Sequence, residues 1–377
     1  MATFERIRAG VIGYGIGKIY TATLRNVGLY YPDFPGVDLV AISTATDASG
    51  EKAVQQFGFE RRTTDYRDLL AADDINVLVI ATPNHLHHEM MLNALQTDKA
   101  IYFDKPLANN LTEAREILAA SRQTGRDAQI IFEFRFAPAT QIAHQMIQDG
   151  RLGDIYTFRA TYFRSSYIDP QKPLRWKASL AQSGGGSTQD LTSHVLDLVI
   201  RLVGMPERVS AQLRTFIHER PAARGSAEKA PVETDDHATL LCAMPGGTIG
   251  TVEAGRLLTG AQNDLAIEVY GSQGSLKWSL MDPNHLYVAD GRMPADERGW
   301  IKVPTLQRYP GAILPGDDVP VGMMRFHVAS MAAFLRSTLD GTPYDPGIEQ
   351  GARVQAVIEA AIQAARTDTW VDVPPIA

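Results

Sequence analysis

The chain has 377 residues, 45% of them hydrophobic, with 36 Lys and Arg against 43 Asp and Glu for a formal net charge of −7. That length suits two domains with cores of their own, and the apolar share excludes a disordered chain. The acidic balance and the lack of any run of five like charges argue against nucleic acid as a partner, and no apolar run approaches the roughly 20 residues of a membrane span.

Met1 to Arg8 leads into a first strand without the apolar stretch of a secretory signal, so a cytoplasmic location is expected. Up to about residue 137, short apolar runs alternate with longer amphipathic ones, the pattern of parallel strands joined by crossover helices. Strands are expected at Arg8 to Gly13, Val37 to Ser43, Asn76 to Ala81, Ala100 to Phe103 and Gln129 to Phe132. Helices are expected at Lys18 to Val27, Ala48 to Phe57, His87 to Leu95 and Leu111 to Thr124, with a helical turn at Tyr66 to Ala71.

The rhythm then changes. After a helix at Ala139 to Gln148, alternating β-branched and aromatic runs predict antiparallel strands. They fall at Ile155 to Phe163, Val209 to Phe216, Ala238 to Met244, Gly247 to Ala254, Leu265 to Tyr270 and Ser275 to Leu280. Residues 217–234 read as a mobile surface loop. The division is therefore an α/β domain over 1–137 and an α+β domain with a large, mostly antiparallel open sheet over 138–377, the last segment being a candidate to pack back on the first domain. Cys242 is the only cysteine, so no internal disulfide forms and a buried structural thiol is expected.

Three constellations carry chemistry. The first, Gly13-Tyr14-Gly15-Ile16-Gly17-Lys18, lies between a strand and a helix, where glycines allow a tight turn and bring a pyrophosphate to backbone N–H groups. The third fingerprint position, counted from Gly13, is Lys18 instead of Gly or Ala. At the end of the second strand Thr44 stands where NAD sites place a carboxylate. NAD and NADP both stay open as cofactors, with a small tilt towards NADP.

The second is Asp104-Lys105-Pro106, at the carboxyl end of a parallel strand, where an ammonium can meet a substrate hydroxyl and stabilise an alkoxide. The third is Gly184-Gly185-Gly186 followed by Asp190-x-x-x-His194. At i,i+4 the carboxylate and imidazole share one helix face, a pairing that raises histidine basicity, and the glycines let the backbone pass close to a ligand. The cluster His85, His87, His88, Glu89 lacks the i,i+4 histidine spacing of a zinc helix, and no metal is expected.

These elements, with Ala81-Thr82-Pro83-Asn84, His87 and Arg135-Phe136 at their positions, resemble the glucose–fructose oxidoreductase, inositol dehydrogenase and MocA (Gfo/Idh/MocA) family along nearly the whole chain. The resemblance implies an N-terminal Rossmann domain holding NAD or NADP and a C-terminal sheet that covers the active site with one face and builds homodimers or homotetramers with the other. It matches Lys105 to the catalytic lysine of the family's E-K-P, and Asp190 and His194 to its paired aspartate and histidine, with the histidine as general base. Cofactor contacts are then expected from Gly13, Gly15, Ile16, Gly17, Thr44, Thr82, Pro83, Asn84, His87, Asp104, Lys105 and Glu133. Asp104 replaces the family's usual Glu, and Glu133 stands near its usual Asn.

The segments from Tyr162 to Pro170 and from Leu174 to Lys177 look like the substrate loop of inositol- and sugar-oxidising members. Tyr162, Arg164 and Trp176 are expected to bind substrate beside Lys105, Asp190 and His194, while Arg325 and His327 either reach the same pocket or sit on the surface. The implied function is NAD(P)-dependent interconversion of a secondary alcohol and a ketone on a cyclic polyol or sugar. Two alternatives are a glycoside-processing oxidation and elimination with recycled cofactor, and a non-catalytic sensor of NAD(P) or sugar.

Overall fold

Six stretches of the first 131 residues pair as one parallel sheet: β1 (Ile7–Ile12), β2 (Val37–Ser43), β3 (Arg61–Thr63), β4 (Val77–Ile80), β5 (Ala100–Asp104) and β6 (Gln129–Ile131). The order is β3-β2-β1-β4-β5-β6, so the chain reverses direction of travel between β1 and β4. Every residue of β4, β5 and β6 is buried, as expected for strands covered on both faces. The crossovers are α1 (Gly17–Tyr30), α2 (Asp47–Phe57), α3 (Arg67–Ala71), α4 (His87–Ala94) and α5 (Leu111–Thr124). Thr46 caps α2 by accepting from the Ser49 N–H, and Gly58 ends it with a positive φ of 75°. Strand β3 lies outside the expected set, because Arg61-Arg62-Thr63 has no apolar signal.

The structure is a computed structural model that describes residues 5–306, 309–316 and 318–376. The chain divides into two units. One holds the described residues of 1–108, 112–136 and 307–352, and the other those of 109–111, 137–306 and 353–377. The stretch 307–352, which a division at residue 137 leaves in the second domain, is part of the first unit. Its helix Met323–Asp340 is fastened there by Ser330, whose hydroxyl accepts from Tyr102 Oη at 2.8 Å and whose carbonyl accepts from Gln129 Nε2 at 2.9 Å.

That helix corrects the expectation of Arg325 and His327 as surface groups. Both are buried within the first unit. The Arg325 guanidinium lies 4.1 Å from the Tyr309 ring and 5.0 Å from that of Tyr30, and it donates to Tyr31 Oη at 3.1 Å. His327 packs its ring against Tyr20.

In the second unit nine strands form one sheet: β7 (Ile155–Arg164), β8 (Arg208–Arg214), β11 (His237–Ala243), β12 (Ile249–Gly255), β13 (Asn263–Gly271), β14 (Gly274–Ser279), β15 (His285–Asp290), β16 (Ile301–Pro304) and β17 (Val371–Asp372). The order is β16-β15-β14-β13-β7-β12-β11-β8-β17, and every pairing is antiparallel except β7 with β12, which run parallel. Strands β9 (Glu219–Pro221) and β10 (Lys229–Pro231) make a separate hairpin, so 217–234 is not a plain surface loop. Burial alternates along the strands, with Phe158, Ala160 and Tyr162 turned inward on β7 and Val252 and Ala254 on β12. The inward face packs on α6 (Pro138–Gln148) and α9 (Thr192–Leu202), which follows two short helices, α7 (Leu180–Ser183) and α8 (Ser187–Asp190). Cys242 is fully buried on β11, and burial pushes its thiol up to about 12. No helix among the described residues is long and apolar enough to cross a membrane.

Burial brings the His327 imidazole down to about 4. Unfolded, the same group titrates near 6.5, so the unfolded chain takes up the proton first as pH falls. The stability held by a neutral His327 is complete above about 6.5 and is lost between there and about 4, on the order of 3 kcal/mol. Urea denaturation at stepped pH is expected to show this loss, and His327→Leu to flatten it. An identical pH slope in the variant would contradict a buried neutral imidazole.

Candidate active site

The glycine turn leaves β1 at the point where the strand order reverses, the ligand crevice of an open α/β sheet. Gly13 has φ +99°, and a Cβ there would stand 2.2 Å from the Ala81 carbonyl oxygen at the end of β4. A side chain is therefore excluded twice, by backbone conformation and by contact. At Gly15 an added Cβ meets nothing within 4 Å, so the turn faces open space, and neighbouring Ile16 is 41% exposed. Gly17 is buried against the end of β4, but a Cβ there would make only ordinary contact, 3.5 Å from Ala81 Cβ, so this position does not demand glycine as the fingerprint's third position does. Lys18 instead turns outward to lay its ammonium 4.2 Å from the centre of the Tyr14 ring.

Helix α1 starts with no side-chain cap at Ile16 and no acidic residue in its first turn. Its first N–H groups and the positive end of its dipole are thus available to an anion. A dinucleotide pyrophosphate fits this cradle.

At the end of β2, Thr44 is buried and donates its hydroxyl to the Thr46 carbonyl at 2.9 Å. Gly50 lets Arg62 of β3 lie against this turn: a Cβ on Gly50 would stand 3.0 Å from Arg62 Cδ and 3.2 Å from Thr44 Oγ1. Arg62 pairs with Glu51 at 3.0 Å and more loosely with exposed Asp47 at 3.7 Å. Sequence reading missed Arg62, because the strand that carries it has no apolar pattern.

Loops at the carboxyl ends of β4 and β5 are joined by His87. Its ring lies between the Pro106 carbonyl, 2.7 Å from Nδ1, and the Thr82 carbonyl, 3.0 Å from Nε2. Burial holds this imidazole below its ordinary value. His87 thereby fastens Thr82, Pro83 and Asn84 to the loop of half-buried Lys105. Asp104 is buried and accepts from Tyr20 Oη at 2.8 Å. Tyr20 is held well above 10, first by burial and then by the Asp104 and Glu133 carboxylates, which places buried Glu133 in the same electrostatic neighbourhood. Neighbouring His88 points elsewhere, its Nε2 standing 2.7 Å from Glu116.

In the second unit the expected single helix over Asp190 and His194 is broken. Asp190 ends α8, Leu191 is the hinge with φ −101° and ψ −44°, and His194 lies in the first turn of α9. The glycine run is also placed differently from expectation: it approaches the protein's own backbone. Gly184 has φ +72° and a Cβ there would meet the Asn109 carbonyl oxygen at 2.3 Å; one on Gly186 would meet the Asp235 carbonyl oxygen at 1.8 Å. Asp235 accepts from the N–H groups of Gly186 and Thr188 at 2.8 Å each, fixing the start of α8.

Asp190 Oδ2 accepts from Lys177 Nζ at 2.8 Å, and the His194 ring meets that of Tyr162 edge-on at 5.8 Å between centres. Tyr162 donates its hydroxyl to Asn263 at 2.7 Å, which leaves its ring as the surface it presents to His194. Arg164, Trp176, Lys177 and Asp190 line one cavity of about 260 Å³ together with Tyr167 and Arg256. The structure thus gathers the expected substrate residues and Asp190 within the second unit, while Lys105 and the dinucleotide cradle belong to the first.

Residues 7–132 match the model of an oxidoreductase family with an NAD-binding Rossmann fold, and 140–277 match that of the GFO/IDH/MocA C-terminal domain. The chain belongs to the GFO/IDH/MocA oxidoreductase family. Levoglucosan dehydrogenase of Pseudarthrobacter phenanthrenivorans is 30% identical over 99% of both chains, and inositol 2-dehydrogenase of Rhizobium meliloti is 26% identical over 76% of this chain and 79% of that one. The solved structure of levoglucosan dehydrogenase in complex with NADH and levoglucosan superposes with a TM-score of 0.93, covering 98% of this chain and 100% of the other. The glycine turn and uncapped α1 both lie within the stretch that matches the NAD-binding Rossmann model.

Proposed function

We propose that the protein oxidises a secondary alcohol of a cyclic polyol or sugar to a ketone with a nicotinamide dinucleotide. The observation that carries this reading is the cavity in which Asp190, with Lys177, faces an aromatic and guanidinium lining suited to a hydroxylated ring. Its support from relatives is that a dehydrogenase of levoglucosan and one of inositol align with most of the chain. When bound, the cofactor supplies the hydride acceptor. The carbinol carbon gives up hydride and its hydroxyl gives up a proton, so the ketone forms without another reactant.

His194 serves as the base that takes the hydroxyl proton, and its packing on the Tyr162 ring holds the imidazole plane in place. Lys105 donates to the substrate oxygen and stabilises the alkoxide as the proton leaves. Asp190 carries the negative charge that favours the protonated imidazole, and Lys177 fixes its carboxylate. Gly13, Gly15, Ile16 and Gly17 hold the pyrophosphate, Thr82, Pro83 and Asn84 border the nicotinamide ribose, and His87 keeps that border attached to the Lys105 loop. Asp104 and Glu133 contribute negative charge on the cofactor side. Thr44 carries no charge to repel a 2′-phosphate, and Arg62 is within reach of the same turn, so NADP is accepted alongside NAD with a tilt towards NADP. The outward face of the nine-stranded sheet exposes Ile249 and carries Trp300 edge-on against Tyr270, an apolar surface suited to a homodimer or homotetramer.

Lys105→Ala and His194→Ala are each expected to lower kcat by about 10²- to 10⁴-fold while NADH affinity stays within a few-fold by fluorescence titration. Unchanged turnover in both would contradict the assigned chemistry, and turnover with no release of NADH or NADPH would point to oxidation and elimination with recycled cofactor. Arg62→Gln is expected to raise the KM for NADP about tenfold more than that for NAD; equal effects would remove Arg62 from the 2′-phosphate site. Static light scattering is expected to give two or four chains per particle, and a monomer at micromolar concentration would contradict the oligomer.

A further inference from the structure

Parallel pairing of β7 with β12 brings the carboxyl ends of two strands to the same place. The register sets Ala254 beside Tyr162 and Gly255 beside Phe163, and one residue further on it brings Arg256 level with Arg164. Both arginines continue the inward face, since Tyr162 and Ala254 are buried there. Each lines the cavity, together with Arg175, Lys177 and Asp190. Behind the wall, Arg220 of the β9 hairpin is 1% exposed.

Most of these cations have a visible task. Lys177 pairs with Asp190, and Arg256 pairs with buried Asp236 at 2.9 Å while donating to Thr234 at 3.0 Å. Arg220 donates to the carbonyls of Tyr167 and Asp169 at 2.6 Å each and so holds a loop whose Ser166 and Tyr167 line the cavity. Lys172 donates to the Ser166 carbonyl at 2.6 Å. None of these carbonyl contacts neutralises a charge.

Arg164 and Arg175 have no such task. Neither has a carboxylate within ion-pair distance among the described residues, and the buried Nε of Arg164 has no hydrogen-bond partner there. A buried guanidinium donor without an acceptor is costly, and a concave wall carrying two cations unpaired with a carboxylate attracts a complementary anion. The field is strong enough to act on its neighbour: the Lys172 ammonium is held below its usual range by burial and then by Arg175, Arg220, Arg164 and Arg256. A neutral polyol would leave these charges unanswered.

We propose that the substrate is a sugar bearing an anionic group, a carboxylate or a phosphate, which Arg164 and Arg175 hold at the mouth of the parallel strand pair. This rests on the reading of the protein as a sugar or polyol dehydrogenase and narrows its substrate class. The ring would then lie over Tyr167 and Trp176, with the anion on the guanidinium side and the reacting hydroxyl towards Asp190. Arg is suited to this because its fork bonds a carboxylate or phosphate through two N–H groups at once.

The test compares methyl glucoside, methyl glucuronoside and glucose 6-phosphate, with their galacto and manno counterparts, as substrates with NAD and with NADP. At least one anionic sugar is expected to exceed its neutral partner by about tenfold or more in kcat/KM, chiefly through KM. That preference is expected to shrink as ionic strength rises from about 0.05 to 0.5 M, and to disappear in Arg164→Gln and Arg175→Gln proteins that still bind NADH. The uronoside and phosphate arms separate the two anion types. Oxidation of neutral sugars as good as or better than that of anionic ones would overturn the inference and leave the dehydrogenase reading intact. If no sugar is oxidised, calorimetric titration of the NADH-loaded protein with methyl glucuronoside and with inorganic phosphate decides the matter. Saturable binding lost in Arg164→Gln would support the anion site and overturn the dehydrogenase reading, whereas no binding of either would overturn both.

Discussion

Within a sheet that is otherwise antiparallel, the single parallel pairing of β7 with β12 sets what the second unit can do. In an antiparallel pair the inward residues at the carboxyl end of one strand lie beside the amino end of the next, so two terminal arginines would stand at opposite edges. The parallel register instead sets Arg164 beside Arg256 at one edge, above a buried row that includes Phe158, Ala160, Tyr162, Val252 and Ala254. The next turn of chain from each strand then closes the site: Tyr167 N–H donates to the Arg256 carbonyl and Leu258 N–H to that of Arg164. Tyr162 meets the ring of His194 from the same inward row.

Such a concentration of charge is tolerated only because the interior around it is organised to accept it. Asp236, fully buried, takes two backbone N–H groups, from Phe216 and Ile217, besides the Arg256 guanidinium, so its carboxylate is saturated with donors. The Tyr167 ring is stacked against by Arg256 at 4.6 Å, Lys172 at 4.2 Å and Arg220 at 5.5 Å, and its quadrupole spreads over three cations. The first unit handles a buried cation similarly, with Arg325 among Tyr30, Tyr31 and Tyr309. In both units charge is held in place by aromatic faces and main-chain atoms, leaving side-chain acceptors few and local.

Much of this was legible in the sequence where the signal was apolar or conformational. The limits of β2 and α5 follow directly from their apolar periodicity and caps, and the glycine turn before α1 reads correctly because no side chain fits at Gly13. Strands with polar composition were not legible: β3 is Arg61-Arg62-Thr63, and it brings Arg62 to the end of β2. The parallel register of β12 was hidden too, since alternation fixes which face a residue takes but not the direction of the partner strand. One reading failed for a steric reason: glycines 184 and 186 make room for Asn109 and Asp235 backbone. The helix over Asp190 and His194 is interrupted at Leu191, whose backbone stays in the right-handed helical region, and the apolar spacing carries no sign of that interruption.

The proposal that the arginine edge of the parallel strand pair receives the substrate is tested most directly by a crystal structure of the protein with NADH and methyl glucuronoside bound. The carboxylate is expected within hydrogen-bond distance of the Arg164 and Arg175 guanidiniums, with the sugar ring over Tyr167 and Trp176. A sugar seated in this cavity with its carboxylate turned away from both arginines, or bound elsewhere on the protein, would contradict it.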